Sequence, residues 1–285
     1  MSHPRVCWVI GTPVEHSLSP VIHNAAFAAV GLDWTYFAVA VPDGRAPDAL
    51  AAMRSLHLAG MSVTMPHKAA AAAGSDVLTP RAERLGAVNC LAWRGTQVEG
   101  DSTDGPGFLD SLTVDHGWDP AGRRTVVIGA GGAARAVIAA LADAGAGQVG
   151  VVGRNPERAA QAAQMADGVG VVVEPGAVDG ADLVVNATPV GMGADQGLPV
   201  DPARLGSGQV VVDLVYDPVE TPLLVAARHQ GAMPVNGLGM LVHQAAHAFR
   251  RWTGEDPPVE VMSAAAVAAL ATHREDRRAS APEGR

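Results

Sequence analysis

The sequence predicts an α/β protein of two domains, the first completed by helices from the end of the chain and the second a doubly wound sheet. Three observations predict it. Short apolar runs closed by glycine or proline alternate with stretches of helical period. Glycine numbers 33 while aromatic residues make up only 4%, the composition of a fold rich in tight strand–helix turns. The 285 residues, 48% hydrophobic and 17% charged, suffice for two cores of ordinary size.

The elements follow in order. Residues 6–10, Val-Cys-Trp-Val-Ile, read as a buried strand ended by Gly11. Ser19-Pro20 opens a helix that Gly31 closes, with Ser19 expected at the N-cap and Pro20 at the first helical position. A strand over 36–41 and a helix over 46–56 come next. A strand over 61–64 then leads to a helix, opened by Pro66, that carries Lys68. Residues 88–92 and 96–99 pair as a hairpin through Arg94-Gly95, and the sheet is expected to be mostly parallel.

After the polar, turn-rich stretch 118–124, strands are expected at 125–128, 149–152, 171–173, 183–186 and 210–214, with helices beginning at Ala133 and Pro156. Two strandless helical stretches, 238–252 and 259–270, close the chain and are suited to pack back on the first domain. The expected domains are therefore 1–105, completed by 238–272, and 106–237. The charged tail 273–285 is expected to be disordered.

Charge and cysteines narrow the function. A net charge of −9 argues against nucleic acid, whose phosphates need clustered Lys and Arg. Cys7 and Cys90 lie far apart and form no C-x-x-C pair; Cys7, in an apolar strand-like run, reads as a buried thiol, which fits a reducing cytoplasm. The apolar run before Gly11 is shorter than the core of a signal peptide. No apolar stretch approaches the roughly 20 residues that span a bilayer. A soluble cytoplasmic protein is expected.

The motifs supply the chemistry. Gly129-Ala130-Gly131-Gly132-Ala133-Ala134 follows a strand and opens a helix. Gly129 permits the tight turn, Gly131 lets a pyrophosphate approach the backbone, and Ala134 lets helix and strand pack closely. The helix amino end offers N–H donors to phosphates. The next strand ends in Gly153-Arg154-Asn155-Pro156-Glu157-Arg158, with Arg154 where an NAD site places a carboxylate. Two guanidiniums at that point suit a 2′-phosphate, so the cofactor is expected to be NADP; a pair of solvated arginines is the bland alternative.

Lys68 stands where a helix begins, an electrostatically poor place for a cation, which a proton-transfer role explains. Downstream, Gly100-Asp101-Ser102-Thr103-Asp104-Gly105 supplies Asp104 as its partner, although Asp104 alone also suits an N-cap. Ser17 and Ser19 are candidates for a substrate carboxylate; simple capping is the alternative for Ser19. His243-Gln244-Ala245-Ala246-His247 has the spacing of a zinc helix, but Gln244 replaces the general base, so no metal is expected.

The run Gly11-x-Pro13-x-x-His16-Ser17-Leu18-Ser19-Pro20-x-x-His23-Asn24 resembles the amino-terminal signature of the shikimate dehydrogenase family. Similarity continues through Val63-Thr64-x-Pro66-x-Lys68, Gly86-Ala87-Val88-Asn89, Thr103-Asp104-Gly105, Asn186-Ala187-Thr188-Pro189, Asp213-Leu214-Val215-Tyr216 and Gly237-Leu238-Gly239-Met240. The resemblance spans about residues 6–270 in the family's order.

It implies an α/β fold with an amino-terminal substrate domain and a Rossmann-like NADP domain, acting in chorismate and aromatic amino acid biosynthesis. It implies that Ser17, Ser19 and Tyr216 hold the substrate carboxylate and that Thr64, Asn89, Asp104 and Gln244 bind ring hydroxyls. Lys68 would be the catalytic lysine, paired with Asp104. Gly129, Ala130, Gly131, Gly132, Ala133, Gly153, Arg154, Asn155, Arg158, Leu214 and Gly237 would contact NADP. A homodimer or monomer is implied. The reaction expected is reversible NADP-dependent reduction of 3-dehydroshikimate to shikimate.

Four positions depart from the family pattern: Ser62, Ser102, Pro80 and Gly153. Ser62 lies nearest the expected substrate ring and leaves quinate or aminoshikimate as alternative substrates. A non-catalytic NADPH-sensing regulator is the alternative from another class; the presence of both Lys68 and Asp104 argues against it.

Overall fold

A computed structural model describes residues 5–280, the side chains through 272. The chain divides into two compact units, one of residues 1–82, 86–101 and 245–285, the other of 83–85 and 102–244.

The first unit holds β1 (Arg5–Gly11), α1 (Ser19–Ala29), β2 (Trp34–Ala40), α2 (Ala46–Ser55), β3 (Gly60–Val63), α3 (Lys68–Gly74), β4 (Val77–Leu78), β5 (Cys90–Arg94) and β6 (Gln97–Asp101). Its sheet runs in the order β2-β1-β3-β5-β6-β4. The three strands β2, β1 and β3 are parallel, but β5 runs antiparallel to both β3 and β6. The sheet is thus mixed. The hairpin turns at Gly95-Thr96, one residue later than expected, because Arg94 pairs with Gln97 and Gly95 takes the positive φ of 63°.

Ser19 is not an N-cap. It is the first helical residue of α1, Leu18 takes the cap position without a side-chain bond, and Pro20 falls within the first turn. Asp104 likewise opens its helix, α5 (Asp104–Asp110), with Thr103 before it.

Strand alternation gives the sheet two faces. Ile10, Met61, Val63, Leu91 and Val98 pack under α2 and α3 with Leu50, Met53 and Ala71. On the other face lie Cys7, Tyr36, Ser62 and Cys90, placed together by the registers Cys7↔Tyr36, Val9↔Ser62 and Ser62↔Cys90. The two closing helices, α9 (Leu238–Thr253) and α10 (Val259–Ser280), contribute to this unit from Ala245 onward. Phe249 stacks on Phe27 at 5.6 Å, and the Trp252 indole N–H donates to the Leu91 carbonyl at 2.9 Å. The α10 backbone stays helical past 272 because no Gly or Pro interrupts it before Pro282. The rest of the expected tail, 281–285, lies outside the described residues.

The second unit holds α4 (Pro80–Leu85) in part, α5, a π-helical turn at Ser111–Asp115, β7 (Arg124–Ile128), α6 (Gly132–Asp143), β8 (Gln148–Val152), α7 (Pro156–Ala163), β9 (Gly170–Val172), β10 (Leu183–Asn186), β11 (Val210–Asp213), α8 (Pro222–His229), β12 (Met233–Asn236) and the start of α9. Its strands, all parallel, run β12-β11-β10-β7-β8-β9, the doubly wound order. The fold class is as the sequence predicted. Its central strands are apolar in their middle, as burial on both faces requires: Val127, Val149, Val151 and Val185 meet one helix layer, Val126, Val184 and Val211 the other.

Candidate active site

In the first unit the expected substrate residues gather at one end of the sheet. Ser17 and Ser19 follow β1, and Thr64 follows β3. Asn89 precedes β5, whose antiparallel course brings its amino end beside the carboxyl end of β3. Backbone bonds tie these segments together: Thr64 N–H to the Ile10 carbonyl at 2.9 Å, Val63 N–H to Asn89 at 2.8 Å, and Asn89 N–H to Asp101 at 3.0 Å. The Ser19 N–H donates to Ser17 Oγ at 3.3 Å, which fixes one serine against the other.

Lys68 is the first residue of α3, and its carbonyl accepts from Val88 at 2.9 Å. His67, just before it, is buried and sets its Nε2 2.8 Å from the Val41 carbonyl, anchoring the turn from which Lys68 projects. Asn89, next to Val88, is buried.

Asp101 is a structural carboxylate that the sequence left unremarked. It is fully buried at the end of β6 and accepts from Arg81 through both oxygens at 2.6 Å, from Thr79 at 2.6 Å, and pairs with Arg251 at 2.9 Å. Burial pushes its pKa up, but the hydrogen bonds and charges of Arg81, Thr79 and Arg251 outweigh this and hold it below the usual carboxylate range. Nothing local in the sequence signals this cluster, because its members lie on three separate segments.

In the second unit Asp104 opens α5 and is buried with Ser102 and Thr103. Two glycines on its helix permit close approaches. A Cβ at Gly105 would lie 3.0 Å from the Ala136 carbonyl of α6, and one at Gly107 would lie 2.4 Å from the Gln244 amide nitrogen of α9. The start of α5 is therefore seated against both the glycine-loop helix and the segment bearing Gln244. The Gln244 Nε2 donates to the Leu241 carbonyl at 2.8 Å. His243 sets Nε2 2.9 Å from Asp115 Oδ1.

The glycine loop fits a dinucleotide. Gly129 has φ of 126°, and a Cβ there would sit 2.8 Å from the Ala187 carbonyl, so the turn itself requires glycine. A Cβ at Gly131 would meet nothing in the chain, so the backbone there is open to the approach of a ligand. Gly132 and Ala133 begin α6, whose first N–H groups face outward from the strand end.

At the end of β8, Arg154 and Arg158 are both exposed, and Asn155 caps α7 by accepting from the Arg158 N–H at 2.9 Å. Gly153 has a packing reason of its own: a Cβ would press to 3.0 Å on Ala159.

Leu214 and Gly237 adjoin, since a Cβ on Gly237 would lie 2.3 Å from the Leu214 carbonyl. The loop carrying Leu214 and Tyr216 hangs from Asp213. That buried carboxylate accepts from Asn186 Nδ2 at 2.9 Å, Thr221 Oγ1 at 2.6 Å and Val215 N–H at 3.1 Å. Burial raises its pKa in spite of these bonds. Burial, helped by the charge of Asp217, also raises the pKa of the Tyr216 phenol. Sequence motifs marked both stretches, but not the 27-residue span that joins Asn186 to Asp213.

Comparison with known proteins gives a consistent answer. Residues 9–91 match the shikimate dehydrogenase substrate binding domain, 115–189 the shikimate/quinate 5-dehydrogenase family, and 237–267 the shikimate 5′-dehydrogenase C-terminal domain. The chain is 46% identical over 265 residues to the shikimate dehydrogenase (NADP(+)) of Moorella thermoacetica, covering 89% of this chain and 90% of the relative. It is 44% identical over 275 residues to that of Methanopyrus kandleri, covering 92% and 95%. A crystal structure of shikimate 5-dehydrogenase from Thermus thermophilus, in complex with NADP(H) and shikimate, superposes with a TM-score of 0.87 at 38% identity, over 93% of this chain and 99% of that one.

Proposed function

Since this chain belongs to the shikimate dehydrogenase family, we infer that it catalyses the reversible NADP-dependent reduction of 3-dehydroshikimate to shikimate. What carries the reading within the second unit is the seating of α5 against α6 at Gly105, which sets Asp104 beside the helix that the glycine loop opens. NADPH, when bound, supplies the hydride to the ring ketone. Gly129 to Ala133 would cradle its pyrophosphate, Arg154 and Arg158 its 2′-phosphate, and Leu214 with Gly237 would also contact it.

The remaining work falls to the chain. Lys68 delivers a proton to the developing alkoxide and takes it back in the reverse direction. Asp104 holds the lysine and accepts from the reacting hydroxyl. Ser17, Ser19 and Tyr216 hold the carboxylate; Thr64, Asn89 and Gln244 read the ring hydroxyls. A site built to hydrogen-bond particular hydroxyls rejects analogues strongly, so shikimate should be preferred over quinate, whose saturated ring carries an extra hydroxyl, and over aminoshikimate, in which an amine replaces one.

No described helix is long and apolar enough to cross a membrane. Both cysteines are buried and unpaired, which supports a cytoplasmic enzyme, acting as a monomer or homodimer. Initial rates with shikimate, quinate and aminoshikimate, each with NADP and NAD, test the assignment. Shikimate with NADP should give the highest kcat/KM, and quinate turnover equal to it would defeat the substrate choice.

A further inference from the structure

Tyr36 is a polar group whose burial the fold does not explain. Its ring lies on the sheet face covered by α1 and α9 and is 1% exposed. His23 stacks on it with centroids 4.5 Å apart, and Trp252 packs against both rings, 5.8 Å from Tyr36 and 4.9 Å from His23. The phenol oxygen lies near two hydroxyls, those of Ser19 at the start of α1 and Ser62 on β3. Neither meets it in hydrogen-bond geometry, and the oxygen is buried without a partner.

A buried, unpaired hydroxyl is destabilising, and such groups are rare enough to call for a reason. Phenylalanine would fill the same space against His23 and Trp252 without that cost. Burial drives the phenol pKa well above its ordinary value, so the oxygen keeps its proton and remains a donor.

Ser19 has one hydrogen to give and two lone pairs to receive with. Its backbone N–H is already engaged by Ser17 Oγ. A donor behind the Ser19 oxygen occupies a lone pair and leaves the hydroxyl hydrogen to point forward. We propose that Tyr36 is a positioning residue for the substrate carboxylate: its O–H closes onto Ser19 Oγ when substrate binds, so that the Ser19 hydrogen is directed at the carboxylate. This rests on the reading above, in which Ser17 and Ser19 hold that group. Ser62, where the family usually has Asn, is the competing acceptor for the same phenol hydrogen.

The test uses Tyr36→Phe in the full chain. KM for shikimate should rise about 3- to 10-fold, as expected for one neutral hydrogen bond, with kcat and the KM for NADP unchanged. Thermal unfolding of the substrate-free variant should occur at the same temperature or higher, because an unpaired hydroxyl has been removed. With shikimate methyl ester, which lacks the carboxylate charge, the variant and wild type should differ much less. In a Ser19→Ala background Tyr36→Phe should have no further effect. An unchanged shikimate KM, an equal rise with the ester, or a substrate-free variant that melts lower would each overturn the proposal. Wild-type protein inactive on shikimate would be a different failure, removing the functional reading itself.

Discussion

Gly107 and Gln244 pack backbone to side of helix so closely that a single added carbon on Gly107 would lie 2.4 Å from the Gln244 nitrogen and 2.7 Å from its Cα. Both neighbours are backbone atoms, so the helices themselves must move to accept a side chain. Asp104 lies one turn before Gly107 on α5, and this contact therefore sets the spacing between a candidate catalytic carboxylate and a candidate substrate amide. Alanine inside a helix normally stabilises by roughly 1 kcal/mol relative to glycine. At Gly107 the sign should reverse: Gly107→Ala should destabilise by about 1–3 kcal/mol through overpacking and lower kcat/KM for shikimate. A urea melt no weaker than wild type would show that α5 and α9 can part without cost.

Lys68→Ala should lower kcat by roughly 10²- to 10⁴-fold, the usual loss when a positioned proton donor is removed. NADP affinity should hardly change, since the cofactor loops lie on the other unit. Asp104→Asn should also lower kcat and raise the KM for shikimate, because in its proposed role the carboxylate serves both lysine and substrate. Near-normal kcat in Lys68→Ala would mean that the proton comes from another group.

Cofactor choice should follow Arg154 and Arg158. Neither side chain is buried, so their pull on a 2′-phosphate is screened by salt. Arg154→Ala should raise the KM for NADP severalfold and leave that for NAD almost untouched. Raising ionic strength in wild type should weaken NADP binding more than NAD binding. Equal use of NAD and NADP by wild type would contradict this.

Acid stability should depend on Asp101. Its folded pKa is depressed, so its stabilisation is present above the ordinary carboxylate value of about 3.9 and is lost as pH falls through the lower folded value. Asp101→Asn should cost about 1–3 kcal/mol at pH 6, since Arg81 and Arg251, both partly exposed, lose a hydrogen-bonded charged partner. The gap between variant and wild type should narrow as the pH is lowered below about 4. Parallel stability curves for the two proteins from pH 6 to 3 would remove Asp101 as the acid-sensitive group.

Much of the fold was legible because its signals are local. The run 125–128 ending at Gly129 specified strand, turn and helix within ten residues, and Arg154 at the next strand end spoke to the cofactor without any distant contact. The antiparallel β5 was harder to read, since a buried apolar strand looks the same in either direction. Ser19 was misread as a cap because the helix starts one residue earlier, and Leu18 offers no side-chain signal. The two residues of β4 are too few for a period to show.

The sequence by itself determined the doubly wound pattern, the glycine loop, the arginines at the second strand end and the identity of the residues proposed for catalysis. These follow from periods of two and 3.6 residues and from the chemistry of single side chains. Only the tertiary structure decided that Arg81, Thr79 and Arg251 converge on Asp101, that Asn186 and Thr221 suspend the Tyr216 loop from Asp213, and that Tyr36, packed against His23 and Trp252, has its hydroxyl near Ser19 and Ser62. The partners in each cluster are drawn from separate segments of the chain. Their meeting is fixed by strand register and helix packing, which the spacing of residues along the chain does not encode.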